Sequence, residues 1–330
     1  MMDISIPYYE DLSRISNSNI GWFLQKGPAY LHKMLTNPPP EEKNYVLERG
    51  TLIHMYLLQP EEFRNTYVVW DKSRPTSAQQ EKFCQALAST LEIEPNKAIL
   101  SAYKEAYSIA GKSEDKMLSE GLKIASTLKD YIDFLKENNG RTMISPYEYQ
   151  MLEKIKQNVQ SHKLAWHIID APLRAAELCD YEAHHEFHIN WECRGVQCKS
   201  LLDGLTLDFK NKKAIIYDLK TTQKLWHFED SIDQYDYLRQ LCYYKKAVLW
   251  YLKNEYGEDP LTWNFEFYII GIDTTGSYEI RTFYINEYAV NSRLAIIHDT
   301  LDEIAWHQTT GKWEHSREYY EGDGSETLNL

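Results

Sequence analysis

The stretch AIIYDLKTT, residues 214–222, ends a short apolar run in an acid and places a lysine two positions later. Side chains at i and i+2 of a strand leave from one face, so Asp218 and Lys220 would emerge together at a strand tip. The segment VQCKSLLDGLTLD precedes it, joined by FKNKK. A turn centred between Lys210 and Asn211 sets an antiparallel register with Asp203 about opposite Asp218. Two carboxylates that close repel, and one pKa rises, unless a cation sits between them. Oxygen donors around a small open site suit Mg2+ or Mn2+ better than zinc. Two readings stay open here: a divalent-metal site with a lysine beside it, or three charges on a solvated hairpin rim. The apolar flanks Leu201, Leu202, Ile215 and Ile216 make that rim partly buried.

Two further spacings bear on the choice. In ERGTLIHMYLL, Gly50 and His54 stand four apart and share a helix face. Gly50 would let that helix approach another backbone, and His54 one turn on could reach a metal. In RQLCYYKK, Gln240 and Tyr244 have the same spacing on the helix after the D-x-K strand. Alone, the first pair reads as a half-buried histidine and the second as a core-edge tyrosine with a surface glutamine.

The elements that must position these residues are legible from pattern. SNSNIGWFLQKGPAYLHKML offers Ser and Asn caps and helical apolar spacing, interrupted near Gly27-Pro28. Pro38–Pro40 form a stiff lead-in, and Glu41 and Glu42 suit the first turn of a helix that ends before Pro60. Residues 76–139 suggest two or three helices, the last stopped at Asn138-Asn139-Gly140. ISPYEYQMLEKIKQNVQSH starts a helix with Ser145 as cap, Pro146 at the first position and Glu148 completing a capping box.

Strands follow in HHEFHINWE, VQCKSLLDGLTLD and AIIYDLKTT, then one long helix EDSIDQYDYLRQLCYYKKAVLWYLKN. WNFEFYIIGID and YEIRTFYIN pair across TTGS, and a last helix runs through EYAVNSRLAIIHDTLDEIAWHQ. The polar tail after Trp313 reads as loosely ordered. No repeat, low-complexity tract or linker interrupts this order. The expectation is one α/β domain over residues 1–313, with a mainly helical part at 1–165, a catalytic core at 166–313 and a tail at 314–330.

Composition narrows the class. The 330 residues are 43% hydrophobic and 26% charged, as in ordinary globular proteins. No apolar run approaches the roughly 20 residues that cross a bilayer, and MMDISIPYYEDLS lacks a signal-peptide core. An intracellular, cytoplasmic chain is expected. Cys84, Cys179, Cys193, Cys198 and Cys242 make no C-x-x-C pair, which argues against a zinc knuckle or iron–sulfur site and for free thiols. The net charge of −13 opposes coating of nucleic acid by the whole surface but permits a local basic channel. Lys199, Lys210, Lys212, Lys213 and Lys224 cluster around the D-x-K motif. A channel lining and a solvated hairpin are both open for them.

Taken together, G-x-x-x-H, an acid, D-x-K at a strand end and Q-x-x-x-Y on the next helix form a specific series. It resembles the PD-(D/E)-x-K nucleases, within them the RecB-like exonucleases, and most closely the phage-type exonuclease VIII (RecE-like) family. ERGTLIHMYLLQPEEF is similar to that family's G-T-x-x-H-x-x-L-L-x-P-E-x-F segment, and EFHINW to its E-x-x-x-x-W strand. The likeness covers roughly residues 5–70 and 145–250. No proline precedes the first acid in LLDGL, and Asp208 is a rival for that role, although the register and Gly204 favour Asp203.

The resemblance implies a mixed central sheet flanked by helices, as in restriction endonucleases. It implies His54, Asp203, Asp218 and the Leu219 carbonyl as ligands of one of two Mg2+ (or Mn2+) ions. Glu186 would be an outer ligand or acceptor. Lys220 would orient or help deprotonate the attacking water, and Gln240 and Tyr244 would position the helix and phosphate. The implied activity is 5′→3′ digestion of linear double-stranded DNA, leaving 3′ overhangs for a single-strand annealing recombinase in a cell or phage-infected host. The implied assembly is a ring-shaped homo-oligomer. Alternatives are a structure-selective or Cas4-like repair endonuclease, the latter usually bearing four cysteines, and a catalytically inactive DNA-end-binding protein.

Overall fold

The computed structural model describes residues 6–40, 45–92, 94–137 and 140–326. Glu41, Glu42, Asn138 and Asn139, assigned above to a helix start and a helix stop, lie outside the described residues. The chain divides into two compact units, Met1–Pro60 with Glu153–Leu330, and Glu61–Leu152.

The helices before the sheet are α1 (Asn17–Thr36), α2 (Tyr45–Leu58), α3 (Pro60–Thr66), α4 (Ala78–Ser89), α5 (Pro95–Ala106), α6 (Glu114–Thr127), α7 (Lys129–Glu137), α8 (Pro146–Ser161), α9 (Lys163–Ile169) and α10 (Ala171–Ala175). Ser16 caps α1 through a reciprocal pair with Asn19, and the kink falls where the pattern breaks, at Gly27 with φ 81°. Residues 76–137 hold four helices rather than two or three. Leu128 leaves helical geometry (φ −108°, ψ 22°) and separates α6 from α7 inside what reads as one amphipathic run. Phe83, Ile99, Tyr103, Met117, Leu128 and Ile132 form the core of this second unit. The unit also holds a short parallel pair, β1 (Tyr67–Val69) and β2 (Thr142–Ile144), too brief to show a pattern. The capping box at Ser145 and Glu148 forms, with both the amide and hydroxyl of Ser145 donating to the Glu148 carboxylate.

The main sheet has the order β3 (Tyr181–Cys193), β4 (Val196–Asp208), β5 (Lys213–Thr222), β6 (Asn264–Asp273), β7 (Ile280–Ile285). All neighbours are antiparallel except β5 and β6, which run parallel, so the sheet is mixed. That single parallel pair needs a crossover, supplied by α11 (Phe228–Tyr235) and α12 (Tyr237–Tyr256). These are two helices where one was expected. Asp236 adopts φ 47°, ψ 55° and caps α12 by accepting from the Arg239 amide. The closing helix likewise splits into α13 (Glu287–Asn291) and α14 (Leu294–Thr310). The tail is more ordered than its composition suggests, because Ser316 caps a short α15 (Arg317–Glu321).

α12 lies against β3, β4 and β5, and its buried Leu241, Tyr243, Ala247 and Val248 share one core with Trp191, Leu205, Ile216 and Phe267. β5 pairs with only Gly204–Asp208 of β4. Ile15 covers part of the edge left free: its N–H donates to Gln197 O (2.9 Å) and its carbonyl accepts from Lys199 N–H (2.8 Å). This satisfies strand groups that would otherwise be buried unpaired.

Candidate functional site

The register settles where the acids stand. Gly204 pairs with Tyr217 and His185 with Gly204, so Glu186, Asp203 and Asp218 form one row across β3, β4 and β5 on a common face. Glu186 makes no ladder pair of its own and holds φ 46°. Gly204 is required beside the row. A Cβ there would sit 1.9 Å from the Tyr217 ring, which lies across the strand at that point.

α2 delivers the histidine from above the row. Gly50 approaches β5, with a Cβ there meeting the Thr221 hydroxyl at 3.4 Å, so the close contact is to a side chain rather than to backbone. The His185 imidazole stands between Leu58 O (2.9 Å) and Ile169 O (2.8 Å), fixing the end of α2 to β3. His54 Nδ1 then lies 3.6 Å from Asp203 Oδ2 and 3.9 Å from Glu186 Oε1. One ligand atom from each of His54, Glu186 and Asp203 falls within 4.8 Å of the others.

Asp218 is engaged separately. Its Oδ1 accepts from Gln240 Nε2 (2.9 Å) and its Oδ2 faces Lys220 Nζ at 2.5 Å. Gln240 Nε2 also donates to the Tyr244 hydroxyl (2.8 Å). The four-residue spacing on α12 thus holds an acid rather than standing idle. The Leu219 amide donates to Asp203 Oδ2 (2.6 Å), tying the two acid-bearing strands together.

Burial and mutual charge set the protonation of this cluster. Burial raises the Asp203 pKa, with Glu186 adding to the rise and His54 and Lys220 opposing it. Burial likewise raises Asp218 to about 6 against the pull of Lys220. For His54, burial lowers the pKa, but Asp203 and Glu186 outweigh it and the net shift is upward. For Lys220, burial is outweighed by Asp218 and Asp203, and the ammonium is held protonated. Burial disfavours the ionised form of these carboxylates, and added positive charge beside them would favour it. Oxygens from two acids and one imidazole nitrogen fit a hard divalent ion.

A family model described as a PDDEXK-like domain of unknown function matches residues 16–319. The chain belongs to that family. No curated protein matches it. A crystal structure described as a "Putative exonuclease" from Eubacterium rectale aligns with 100% of this chain and 95% of that one, at 12% identity and a TM-score of 0.49. The mixed sheet flanked by helices is the PDDEXK-like fold expected from the motif series, and the reading it supports is a nuclease.

The PDDEXK-like chain distributes the five candidate DNA-binding lysines in ways the sequence did not reveal. Lys199 is buried and donates to Tyr8 O (2.5 Å) and Asp11 O (2.6 Å), so it straps the N-terminal segment to β4 and is not a channel lining. Lys210, Lys212 and Lys213 sit at the turn end of the β4–β5 hairpin, as far from the acids as Asp208 is from Asp203, about 17 Å at ~3.3 Å per residue. There Lys212 pairs with Glu258, and Lys213 with Glu266 at 2.8 Å. Lys224 alone of the five is exposed just past the acid-bearing end of β5. Asp208, the rival acid, accepts from Asn211 in the turn. The five cysteines are free, and among the described residues no helix is long and apolar enough to cross a membrane.

Proposed function

We propose that this chain is a Mg2+- or Mn2+-dependent exodeoxyribonuclease that digests linear double-stranded DNA 5′→3′ and leaves 3′ overhangs. The observation that carries the reading is the convergence of His54, Glu186 and Asp203 beside the Asp218–Lys220 pair. His54, Glu186, Asp203, Asp218 and the Leu219 carbonyl would hold two ions. When bound, such ions supply Lewis-acid charge to the phosphate oxygens. Lys220, kept cationic by its acid neighbours, orients the attacking water and stabilises charge on the pentavalent transition state. Gln240 holds Asp218 in place, and Tyr244 in turn holds Gln240.

The polarity, the single-strand annealing partner, the ring-shaped homo-oligomer and a cytoplasmic site of action in a cell or phage-infected host rest on the resemblance to the RecE-like exonucleases. The test is digestion of end-labelled linear duplex with Mg2+, beside EDTA and Asp218→Ala controls and a covalently closed circle. Release of mononucleotides from the 5′-labelled end, with circles intact and Asp218→Ala inactive, supports the proposal. Cut circles would make the chain an endonuclease. Binding of linear DNA without cleavage would make it an end-binding protein.

A further inference from the structure

Past Lys220, the end of β5 opens onto a cleft of about 310 Å³, near the lower bound of the roughly 300–1,000 Å³ typical of ligand sites. Arg49, Thr221, Lys224, Tyr235 and Tyr237 are among its walls. It adjoins Lys220, whose Nζ lies 5.0 Å from the Tyr237 ring centre. Two larger cavities, about 480 and 380 Å³, belong to the second unit and contain none of the site residues.

The cleft's aromatic wall is built with care. Phe228 and Tyr237 stack at 6.0 Å and 26°, and Tyr237 and Tyr235 at 5.7 Å and 23°. The left-handed Asp236 between the two tyrosines makes this possible, and it is clamped by Arg239 Nε (3.3 Å) and Arg293 Nε (2.8 Å). The series ends at Tyr235, which is 57% exposed. A fixed ring with an open face stacks a planar partner at little entropic cost. Lys224 and Arg49 add positive charge within the same walls. A planar π system carrying a phosphate is the chemistry that satisfies both halves.

We propose that this cleft is a nucleotide subsite that takes one unpaired nucleotide of the strand being cut, its base on Tyr235 and its phosphate toward Lys224 and Arg49. The assignment rests on the nuclease reading and deepens it. A paired base hides its faces in the helical stack, so occupancy requires a frayed end or an opened pair.

The test is fluorescence anisotropy with the full chain in EDTA, where nothing is cut. The probes are a short single-stranded oligonucleotide and the same strand abasic throughout. Wild type is expected to bind the base-bearing strand about tenfold more tightly, within the range that stacking of a base supplies. Tyr235→Ala should narrow that gap by most of its width and leave abasic binding unchanged, while Tyr235→Phe should keep it. A gap that survives Tyr235→Ala, a Tyr235→Phe variant as impaired as Tyr235→Ala, or wild type that binds neither strand overturns the subsite. Mg2+ cleavage of linear duplex by the same preparations separates the two readings. A Tyr235-dependent gap without any cleavage defeats the nuclease reading alone, and cleavage without that gap defeats the subsite alone.

Discussion

Glu186 occupies a backbone region that costs a non-glycine residue roughly 1–2 kcal/mol, and it does so inside a strand. Such strain persists where surrounding structure over-determines the residue, and it clusters at functional sites. Here the neighbours His185 and Phe187 stay in register on β4 while the acid between them joins Asp203 and His54. From the sequence, Glu186 is reached only through the likeness of EFHINW to the E-x-x-x-x-W strand. The structure supplies the geometric reason: Arg194 and Gly195 both take positive φ, as a type I′ hairpin turn requires, and counting back from Cys193↔Val196 sets Glu186 opposite Asp203. A separate count from the β4–β5 turn sets Asp203 opposite Asp218. At this scale the most informative variant is Gln240→Leu, which removes the donor to Asp218 Oδ1 and leaves every acid in place. Loss of such a supporting contact should lower Mg2+-dependent cleavage about 10- to 100-fold, with a higher Mg2+ requirement and little change in melting temperature. Activity equal to wild type across a Mg2+ titration would show that Asp218 needs no anchor. Gly204→Ala should act the other way, through the fold. The added methyl overlaps the Tyr217 ring and should cost about 3 kcal/mol by chemical denaturation, the upper end for overpacking. Tyr217→Leu in the same chain should recover part of that loss.

Strands, their order along the chain and the β4–β5 register follow from alternation and turn chemistry, which act locally. The break between α11 and α12 does not, because the apolar period runs through EDSIDQYDYLRQ without a Gly or Pro. Tertiary ion pairs from Arg239 and Arg293 stabilise a left-handed Asp236 that local propensity alone would disfavour. Lys199 is a parallel case, since its partners at Tyr8 and Asp11 are distant in sequence. The β6–β7 turn carries a prediction at this scale. The Asp273 carboxylate accepts from the amides of Thr275, Ser277 and Tyr278 and from the hydroxyls of Thr275 and Ser277. Burial raises its pKa, but these bonds outweigh burial and the net shift is downward. A carboxyl depressed on folding contributes stability that is present above its unfolded pKa and lost as pH falls through the folded one. Asp273→Asn should therefore lower stability by about 2 kcal/mol at pH 7, the scale of hydrogen bonds to a charged group. The difference from wild type should shrink below about pH 4, near the carboxyl's unfolded value. A gap that stays constant from neutral to acid pH would mean the carboxylate's charge is not what the turn uses.

For the molecule as a whole, the second compact unit was hidden because nothing in the composition announces it. Its boundaries fall inside α3 and α8 rather than in a Pro/Gly/Ser-rich stretch that the sequence could show. The charge distribution was also only half legible. A net −13 with basic residues near the motif suggests a basic channel, yet Lys199 is buried and Lys212 and Lys213 are spent on Glu258 and Glu266 at the far end of their hairpin. That withdraws three of the five candidate lysines from a channel beside the acids, and the consequence is measurable. Each phosphate neutralised adds about −0.9 to the slope of log affinity against log salt. A chain that engages DNA through a small set of two or three cations, Lys224 and Arg49 among them, should give a slope of about −2 to −3 in EDTA. Lys224→Ala should make the slope shallower by about 1, while the double variant Lys212→Ala/Lys213→Ala should leave it unchanged. A KCl titration of labelled duplex by anisotropy reads all three. A slope near about −8, or one that flattens in the hairpin variant, would put the turn lysines back on the path of the DNA and require a second contact surface beyond the acid row.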